Sequence, residues 1–385
     1  MRKLFFLVLF VSWLSPTLAA DLVEIVWDGF AYPVQPGQPE RCDTQRNPMC
    51  IILESGEGRG SYSTRFSDKI KSLVDTKYSF VDNASDERGN TLHLAVSIGL
   101  EWPIPDPARE KESLYLFCAT ILLYKSGETL SLLNAKPICF TQPGLPSEPA
   151  EKKKFLTEML YASAQPKAIT IEKRILSEIS EIINTRPSDL KRLAIRSVKL
   201  NGAVFKGESS KRAMLRDFIA ESLAAALSEE FGKPIIPPAL ANGRQIELRF
   251  QDLQKARTIE LPIATDFIDV VVQPFSKKVK SDELGYKYET LFSMLTLNHQ
   301  KSSGAGGESH FSNVNLFSSS PPRRITTGNE LELDELKHLN LLRNLSLEIS
   351  KQFSRPNKVW ITERTVGSEP GAAFEGLVKL SRELN

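Results

Sequence analysis

The first twenty residues decide the compartment in which this chain has to fold. Arg2 and Lys3 supply a positive start, Leu4 to Leu14 an apolar run, and Thr17-Leu18-Ala19 the small residues of a cleavage site, with Ala20 an alternative end. This is the pattern of a secretory signal peptide over residues 1–20. The run is shorter than the about 20 apolar residues that span a bilayer, and no later stretch of the sequence reaches that length. The sequence therefore predicts an exported protein, periplasmic or secreted, with no integral membrane segment after signal cleavage.

Export sets the redox state. The four cysteines are Cys42, Cys50, Cys118 and Cys139, and an even number in an oxidising compartment points to disulfides. Cys42 and Cys50 bracket a short Pro-containing loop. Cys118 and Cys139 lie near the outer ends of two apolar runs joined by Lys125-Ser126-Gly127-Glu128, so they can meet across a hairpin. The expected pairs are Cys42–Cys50 and Cys118–Cys139. The spacings do not match zinc-ligand pairs, and His93 is the only histidine near them. No metal and no cofactor is expected.

Charge narrows the partners. The chain has 49 Lys+Arg against 47 Asp+Glu, and the signal carries two of the cations and no acid. The remainder is neutral and has no global field for nucleic acid or an anionic membrane. Basic runs such as Lys152-Lys153-Lys154 and Lys277-Lys278 read as solvated faces. No nucleic-acid partner is expected.

The ~365 residues left after cleavage are enough for two ordinary domains. Glu178-Ile179-Ser180, Arg186-Pro187, Arg196-Ser197-Val198 and Gly202 to Gly207 return in the same order as Glu348-Ile349-Ser350, Arg355-Pro356, Arg364-Thr365-Val366 and Gly371 to Gly376. The offset is 170 residues from 178 to 348 and 169 from 202 to 371, which reads as an internal repeat. The expected units are residues 21–187, carrying the disulfides, and 188–385, carrying a Gly/Ser/Pro-rich mobile loop at 301–324. Helical spacing marks Thr64–Asp75, Ala150–Ala164, Ile171–Ile183, Ser210–Phe231 and Asp334–Phe353. Strand-like runs are Leu22–Trp27, Thr91–Leu100, Leu114–Tyr124, Leu193–Val204, Phe267–Gln273 and Tyr288–Leu297. Polar stretches, Pro103–Lys111 and Ser276–Gly285, separate the paired strands, and Ala239–Lys255 reads as extra residues in the second unit. The fold class is α+β: two similar β-α-β-β-α units, each a mainly antiparallel sheet with helices packed on one side.

Motifs of known chemistry fall short on their residues. Gly56-Glu57-Gly58-Arg59-Gly60-Ser61 precedes a helix but lacks the final glycine spacing of a dinucleotide site. Gly202 to Ser209 has the glycine spacing of a P-loop, but Glu208 stands where lysine is needed. The histidines His93, His299, His310 and His338 come with neither a Gly-x-Ser-x-Gly elbow nor a His-Glu-x-x-His pair. Asn83-Ala84-Ser85 and Asn344-Leu345-Ser346 fit the glycosylation pattern. No catalytic residue is assigned. The sequence predicts a soluble binding or envelope-assembly protein that acts through contacts with a protein or cell-envelope partner. The alternative is an extracytoplasmic hydrolase of a sugar or peptide polymer, its carboxylates drawn from distant residues.

Overall fold

The computed structural model describes residues 23–34, 48–49, 52, 61–74, 78–81, 91–105, 111–161, 170–184, 193–202, 209–232, 235–236, 245–250, 256–302, 309–325, 330–367 and 370–384. The signal segment, Cys42, Cys50, Asn83, the Gly56–Gly60 turn and residues 203–208 lie outside them. In chain order the elements are β1 (Val23–Pro33), α1 (Ser61–Leu73), β2 (Tyr78–Val81), β3 (Leu92–Pro105), β4 (Glu112–Lys125), β5 (Leu130–Pro146), α2 (Pro149–Tyr161) and α3 (Ile171–Asn184). There follow β6 (Leu193–Leu200), α4 (Ser209–Phe231), β7 (Ile235–Ile236), β8 (Gln245–Phe250), β9 (Ala256–Glu260), β10 (Asp266–Val272), β11 (Ser276–Ser281) and β12 (Lys287–Lys301). The last elements are β13 (Val314–Ser319), β14 (Arg323–Arg324), α5 (Glu330–Ser354), α6 (Lys358–Arg364) and α7 (Pro370–Leu384). The fold is α+β.

The strands make two mixed sheets. The first runs β2-β1-β3-β4-β5-β9-β8, and β1 pairs with β8 as well. That last pairing closes β1, β3, β4, β5, β9 and β8 into a six-stranded ring. The second sheet runs β11-β12-β10-β6-β7, with β13 and β14 on the far edge of β12. Within them, β2-β1-β3-β4-β5 and β7-β6-β10-β12-β13 share order and direction: the first two pairings are parallel, the last two antiparallel. Most pairings in both sheets are antiparallel, as expected. The parallel pairs that flank β1 and β6 arise because each leads through a helix to its neighbours and such a crossover returns the chain parallel.

The residues that carry the sequence repeat do not stay in register. Residues 178–180 and 348–350 both lie on helices, α3 and α5, but 196–198 belong to strand β6 while 364–366 end helix α6. Two further expectations change. Ser276–Gly285, read as a polar spacer, contains strand β11, and Lys301–Arg324, read as one loop, contains β13 and β14. Strand β11 is exposed throughout, β14 is half-buried to exposed, and β13 buries only Val314 and Leu316, so none of the three carries the apolar run that marks a buried strand. Residues 303–308 of that stretch lie outside the described set.

Helix α4 ties the halves together. It packs against β3 and β5 of the first sheet, β6 of the second, and α5. Leu215, Phe218, Ile219, Leu223 and Leu227 are all buried, each contributing about 1.5–3 kcal/mol of transfer free energy as an upper estimate. They share one core with Leu100, Trp102 and Leu116 of the first sheet and Ile268, Val270 and Leu295 of the second. A helix buried on more than one side carries apolar residues most of the way round. A second core sits under α1, α2 and α3, and a third lines the ring around Ala95, Leu122, Tyr124, Leu248 and Phe250.

Candidate functional site

The two sheets differ in how they meet solvent. Strands β1, β3 and β4 are buried on both faces. Strand β10 instead alternates buried and half-buried through its whole length, and β12 does so through most of its own. The buried set, Ile268, Val270, Leu291, Leu295 and Leu297, faces α4 and α5. The opposite set is mostly half-exposed: Phe267 at one end leans on the ring core, Thr296 is buried and Arg364 of α6 lies over Phe317, while the other residues of the set are partly open to solvent.

Cross-strand register sets what this open face presents. Val271 lies opposite Thr296 and Thr296 opposite Asn315; Met294 lies opposite Phe317; Lys278 and Lys280 lie opposite Thr290 and Tyr288, and Tyr288 also faces Arg324. A polar ladder runs from the residues just past the ends of β6 and β10 across β12 to β13. Asn201 Nδ2 donates to Gln273 Oε1 at 3.2 Å, Gln273 Nε2 to Thr296 Oγ1 at 2.8 Å, and Thr296 Oγ1 to Asn315 Oδ1 at 2.5 Å; Asn315 Nδ2 donates to the Val366 carbonyl at 3.2 Å. Beside the ladder Met294, Phe292 and Phe317 form an apolar strip, the two rings 6.5 Å apart. The rim is basic. Lys199, Lys278 and Lys280 are exposed, Arg324 stacks on Tyr286 at 3.5 Å, and Arg364 sits over Phe317 at 5.8 Å. The acid these strands place on the face, Asp269, is held by Arg196 Nε at 3.1 Å and Ser197 Oγ at 2.6 Å. The face thus offers a fixed polar line, an apolar strip and excess positive charge.

The histidines singled out in the sequence are all turned inward. His93 lies inside the ring: its Nδ1 is 2.9 Å from Asp28 Oδ2, its ring stacks on Tyr124, and Arg257 reaches both Asp28, at 3.0 Å, and His93, at 3.3 Å. Tyr124 donates to Asp28 as well, and burial first, then the Asp28 charge, raises its pKa well above the ordinary tyrosine range. His338 pairs with Ser293 Oγ at 3.0 Å, both buried, and stacks on Phe275. Burial pushes it down to about 4, against the opposing charge of Glu289, so it is neutral at neutral pH.

His299 and His310 meet at the end of the second sheet. Their rings stack 4.6 Å apart at 10°. His299 Nε2 faces Asp266 Oδ1 at 2.9 Å, and His310 Nε2 faces Glu383 Oε2 at 3.0 Å, with Lys301 Nζ on the same carboxylate at 2.6 Å. Asp266, His299 and His310 bring ligand-type atoms close enough to hold a metal ion. Two near-parallel stacked rings, however, aim their nitrogen lone pairs in separate planes, and each ring already has a carboxylate partner. Each ring is thus committed to a carboxylate through Nε2, while His310 Nδ1 is buried without a hydrogen-bond partner. Burial lowers His310, with Glu383 opposing. The Lys301 hydrogen bond lowers Glu383, aided by His310 against burial. Burial works to raise Asp266, yet hydrogen bonds from His299 and Thr265 hold it low.

Among the described residues three carboxyls are displaced the other way, Asp217 by burial and, more strongly, Glu101 and Glu221. Glu101 accepts from the Met49 amide at 2.6 Å, from Tyr32 at 3.0 Å and from Tyr115, yet burial raises it to about 7. Glu221 on α4 is fully sealed and raised by burial, and then by Asp217, to about 8. Neither reaches solvent, so neither meets a polymer. A cleft of about 260 Å³ where β5, α3, α4 and α5 meet is lined by Cys139, Arg174, Glu229 and Arg343. Arg174 spends its charge on Glu178 at 2.8 Å and Glu229 at 3.5 Å.

Of the four cysteines, Cys118 and Cys139 form a disulfide directly across β4 and β5, as their place on the hairpin leads one to expect. The expected Cys42–Cys50 pair lies outside the described residues. In Asn344-Leu345-Ser346 the serine is buried on α5 and bonds back to Leu342 O at 3.0 Å. Sequence reading missed the open face because its residues are half-exposed and dispersed over four strands. The available signal was the alternation in DFIDVVV and TLFSMLTL, which marks one wet face.

The sequence matches no protein-family model and no curated protein. Several solved structures resemble parts of the chain, two of them as follows. A neuraminyllactose-binding hemagglutinin homolog from Helicobacter pylori is 10% identical over 43% of this chain and 84% of that one, with a TM-score of 0.25. A minor lipoprotein from Acinetobacter baumannii is 11% identical over 42% of this chain and 91% of that one, with a TM-score of 0.20. At such TM-scores the likeness bears on neither fold nor function.

Proposed function

We propose that this is an exported binding protein, periplasmic or secreted, that holds a protein partner in the cell envelope against the open face of its second sheet. The observation that carries the reading is the contrast between strands β1, β3 and β4, buried on both faces, and a second sheet with one face half-exposed. A half-exposed face with a central apolar strip and a charged rim has the anatomy of a protein-binding patch. The disulfide Cys118–Cys139 fits an oxidising compartment, and no described helix is long and apolar enough to cross a membrane. The division into two similar units, 21–187 and 188–385, belongs to the same proposal, supported by the shared strand order. The hydrolase alternative has no observation in its favour, since Glu101 and Glu221 are sealed.

The test is site-specific photo-cross-linking in the envelope of the native host. A photoreactive residue replaces Met294 or Phe317 on the open face, or Arg343 on α5 as control. One species cross-linked from both face positions and absent from the control supports the reading. Equal capture from all three positions, or none from the face, overturns it.

A further inference from the structure

The open face ends on one side at β11, and this strand differs from every other in the second sheet. All six residues of Ser276–Ser281 are exposed. Its pairing is with β12 alone among the described residues, so no described strand lies beside its outer edge. Asp282 N donates to Tyr286 O at 2.9 Å, so 282 and 286 form a hydrogen-bonded pair. Pairs alternate along an antiparallel ladder. The pairs 281–287, 279–289 and 277–291 are therefore the non-bonded ones, and Lys277, Val279 and Ser281 turn their N–H and C=O groups outward. The Leu291 carbonyl agrees with this phase by accepting from Ser320 at 2.9 Å on the other side of β12.

An edge of this kind is a template for another strand, and lysines on it discourage indiscriminate pairing. Three of the six residues are lysines. Lys278 and Lys280 stand on the open-face side, with no ion pair among the described residues. Lys277 stands on the helix side, where Glu289 and Asp334 lie 3.7 Å away. A second copy of this strand would set lysine against lysine. A strand with acids at alternate positions would set them beside Lys278 and Lys280, and an apolar residue between those acids would lie beside Val279, which is 48% exposed.

We infer that the outer edge of β11 takes up an extended acidic segment of the partner as an added strand. The segment has the pattern acid–apolar–acid and runs on to the apolar strip of the open face. This rests on the binding reading above and names the chemistry of what binds. Backbone hydrogen bonds to Lys277, Val279 and Ser281 supply affinity, and the lysines select the sequence.

The experiment uses the full chain, signal removed, and fluorescence anisotropy with three labelled probes. These are an alternating Glu-Val octapeptide, its Lys-Val counterpart, and a peptide of the Glu-Val composition interrupted by prolines. The expected result is saturable binding of the first alone, weakened at least tenfold by Val279→Pro and by Lys278→Glu with Lys280→Glu. Proline at 279 removes an outward N–H and leaves the bonded pairs 278–290 and 280–288 intact. Circular dichroism melts of each variant establish that it is folded, and Lys278→Gln with Lys280→Gln serves as a milder second variant. Equal binding of the proline-interrupted peptide, or indifference to Val279→Pro in a folded variant, reduces the effect to charge attraction and overturns the inference. Absence of binding by the first probe overturns it as well. Cross-linking from Met294 and Phe317 then reports separately on the face: it persists if only the edge assignment is wrong and vanishes if the binding reading is wrong.

Discussion

Asp28 and Arg196 occupy the same place in the two sheets. Each is the extra residue of a β-bulge in the first strand of its sheet, between Trp27 and Gly29 in β1 and between Ile195 and Ser197 in β6. Each reaches the same two neighbouring strands. Asp28 meets His93 on β3 and Tyr124 on β4, while Arg196 meets Phe267 and Asp269 on β10 and Gln300 on β12. Bulges re-aim a side chain, and here one geometry serves opposite charges in opposite surroundings. The Asp28 side chain is 2% exposed inside the closed ring, and that of Arg196 is 39% exposed on the open face.

The difference in burial sets the first expected outcome. Asp28→Ala leaves Arg257, His93 and Tyr124 without their shared acceptor in a dry ring, and removing one partner of a buried ionic group costs about 3–5 kcal/mol. Arg196→Ala breaks a pair that water reaches and costs no more than about 1 kcal/mol. Urea unfolding of the two variants measures both. Equal losses would mean that the ring interior is wet.

How much of this was legible follows from where each signal lies. The helix Ser209–Phe231 shows in its own sequence because helical spacing is local, and so does the disulfide-bearing hairpin, since Cys118 and Cys139 face each other across a short turn. The ring around Asp28 does not show. Its members, residues 28, 93, 124 and 257, come together only because β8 and β9 leave their own half of the chain to close the first sheet. The segment Gln245–Phe250 alternates well, buried at Ile246, Leu248 and Phe250, yet a strand pattern does not say which sheet it joins. Strand β11 is hidden for the opposite reason: SKKVKS is solvated on both sides, and periodicity reports only burial.

Gly376 fixes the seat of the last helix. A Cβ there would overlap the His310 carbonyl oxygen and stand 3.0 Å from Phe311 Cβ, so α7 is docked against backbone that cannot rotate aside. Gly376→Ala should cost about 1–3 kcal/mol by overpacking and loosen the Glu383 contact with His310 and Lys301. Limited proteolysis checks this by earlier cleavage near the C-terminus. Gly99→Ala is the control, because its Cβ would meet Glu221 Oε1 at 3.4 Å, an ordinary contact. Cleavage unchanged by Gly376→Ala would show that α7 shifts without cost.

The disulfide should matter for stability more than for shape. Cys118 and Cys139 are 21 residues apart in sequence, and closing a loop of that order removes about 3 kcal/mol of unfolded-state entropy in the chain-entropy account. The double variant Cys118→Ala with Cys139→Ala should fold to the same strands and lose about 2–4 kcal/mol, read as a lower urea midpoint. Cys118 is fully buried while Cys139 is half-buried at the cleft, so reductant should enter the native protein through Cys139 and act more slowly there than on the unfolded chain. Rapid reduction under native conditions would place the bond at a surface that opens.

Glu221 gives the stability a slope with pH. Its folded value of about 8 lies above the ordinary 4.5, so between those values the folded chain keeps a proton that the unfolded chain has released. Stability therefore falls as pH rises through that window, by up to about 1.4 kcal/mol per unit. Glu101 adds a slope of the same sign that ends near 7. His338 acts oppositely: lowered from 6.5 to about 4, it makes stability rise with pH across that interval and offsets the carboxyls there. Among these three groups, Glu221 alone is left to titrate between pH 7 and 8. Its neighbours are Asp217 on the same helix, which burial also raises, and Gly99 across the packing. Glu221→Gln should remove the decline between pH 7 and 8 and leave stability nearly level from pH 5 to about 6.5, where His338 offsets Glu101, with a remaining fall from there to about 7. Urea midpoints at pH 5, 6.5, 7 and 8 read both limbs. A decline that survives the substitution would assign the proton to another buried group.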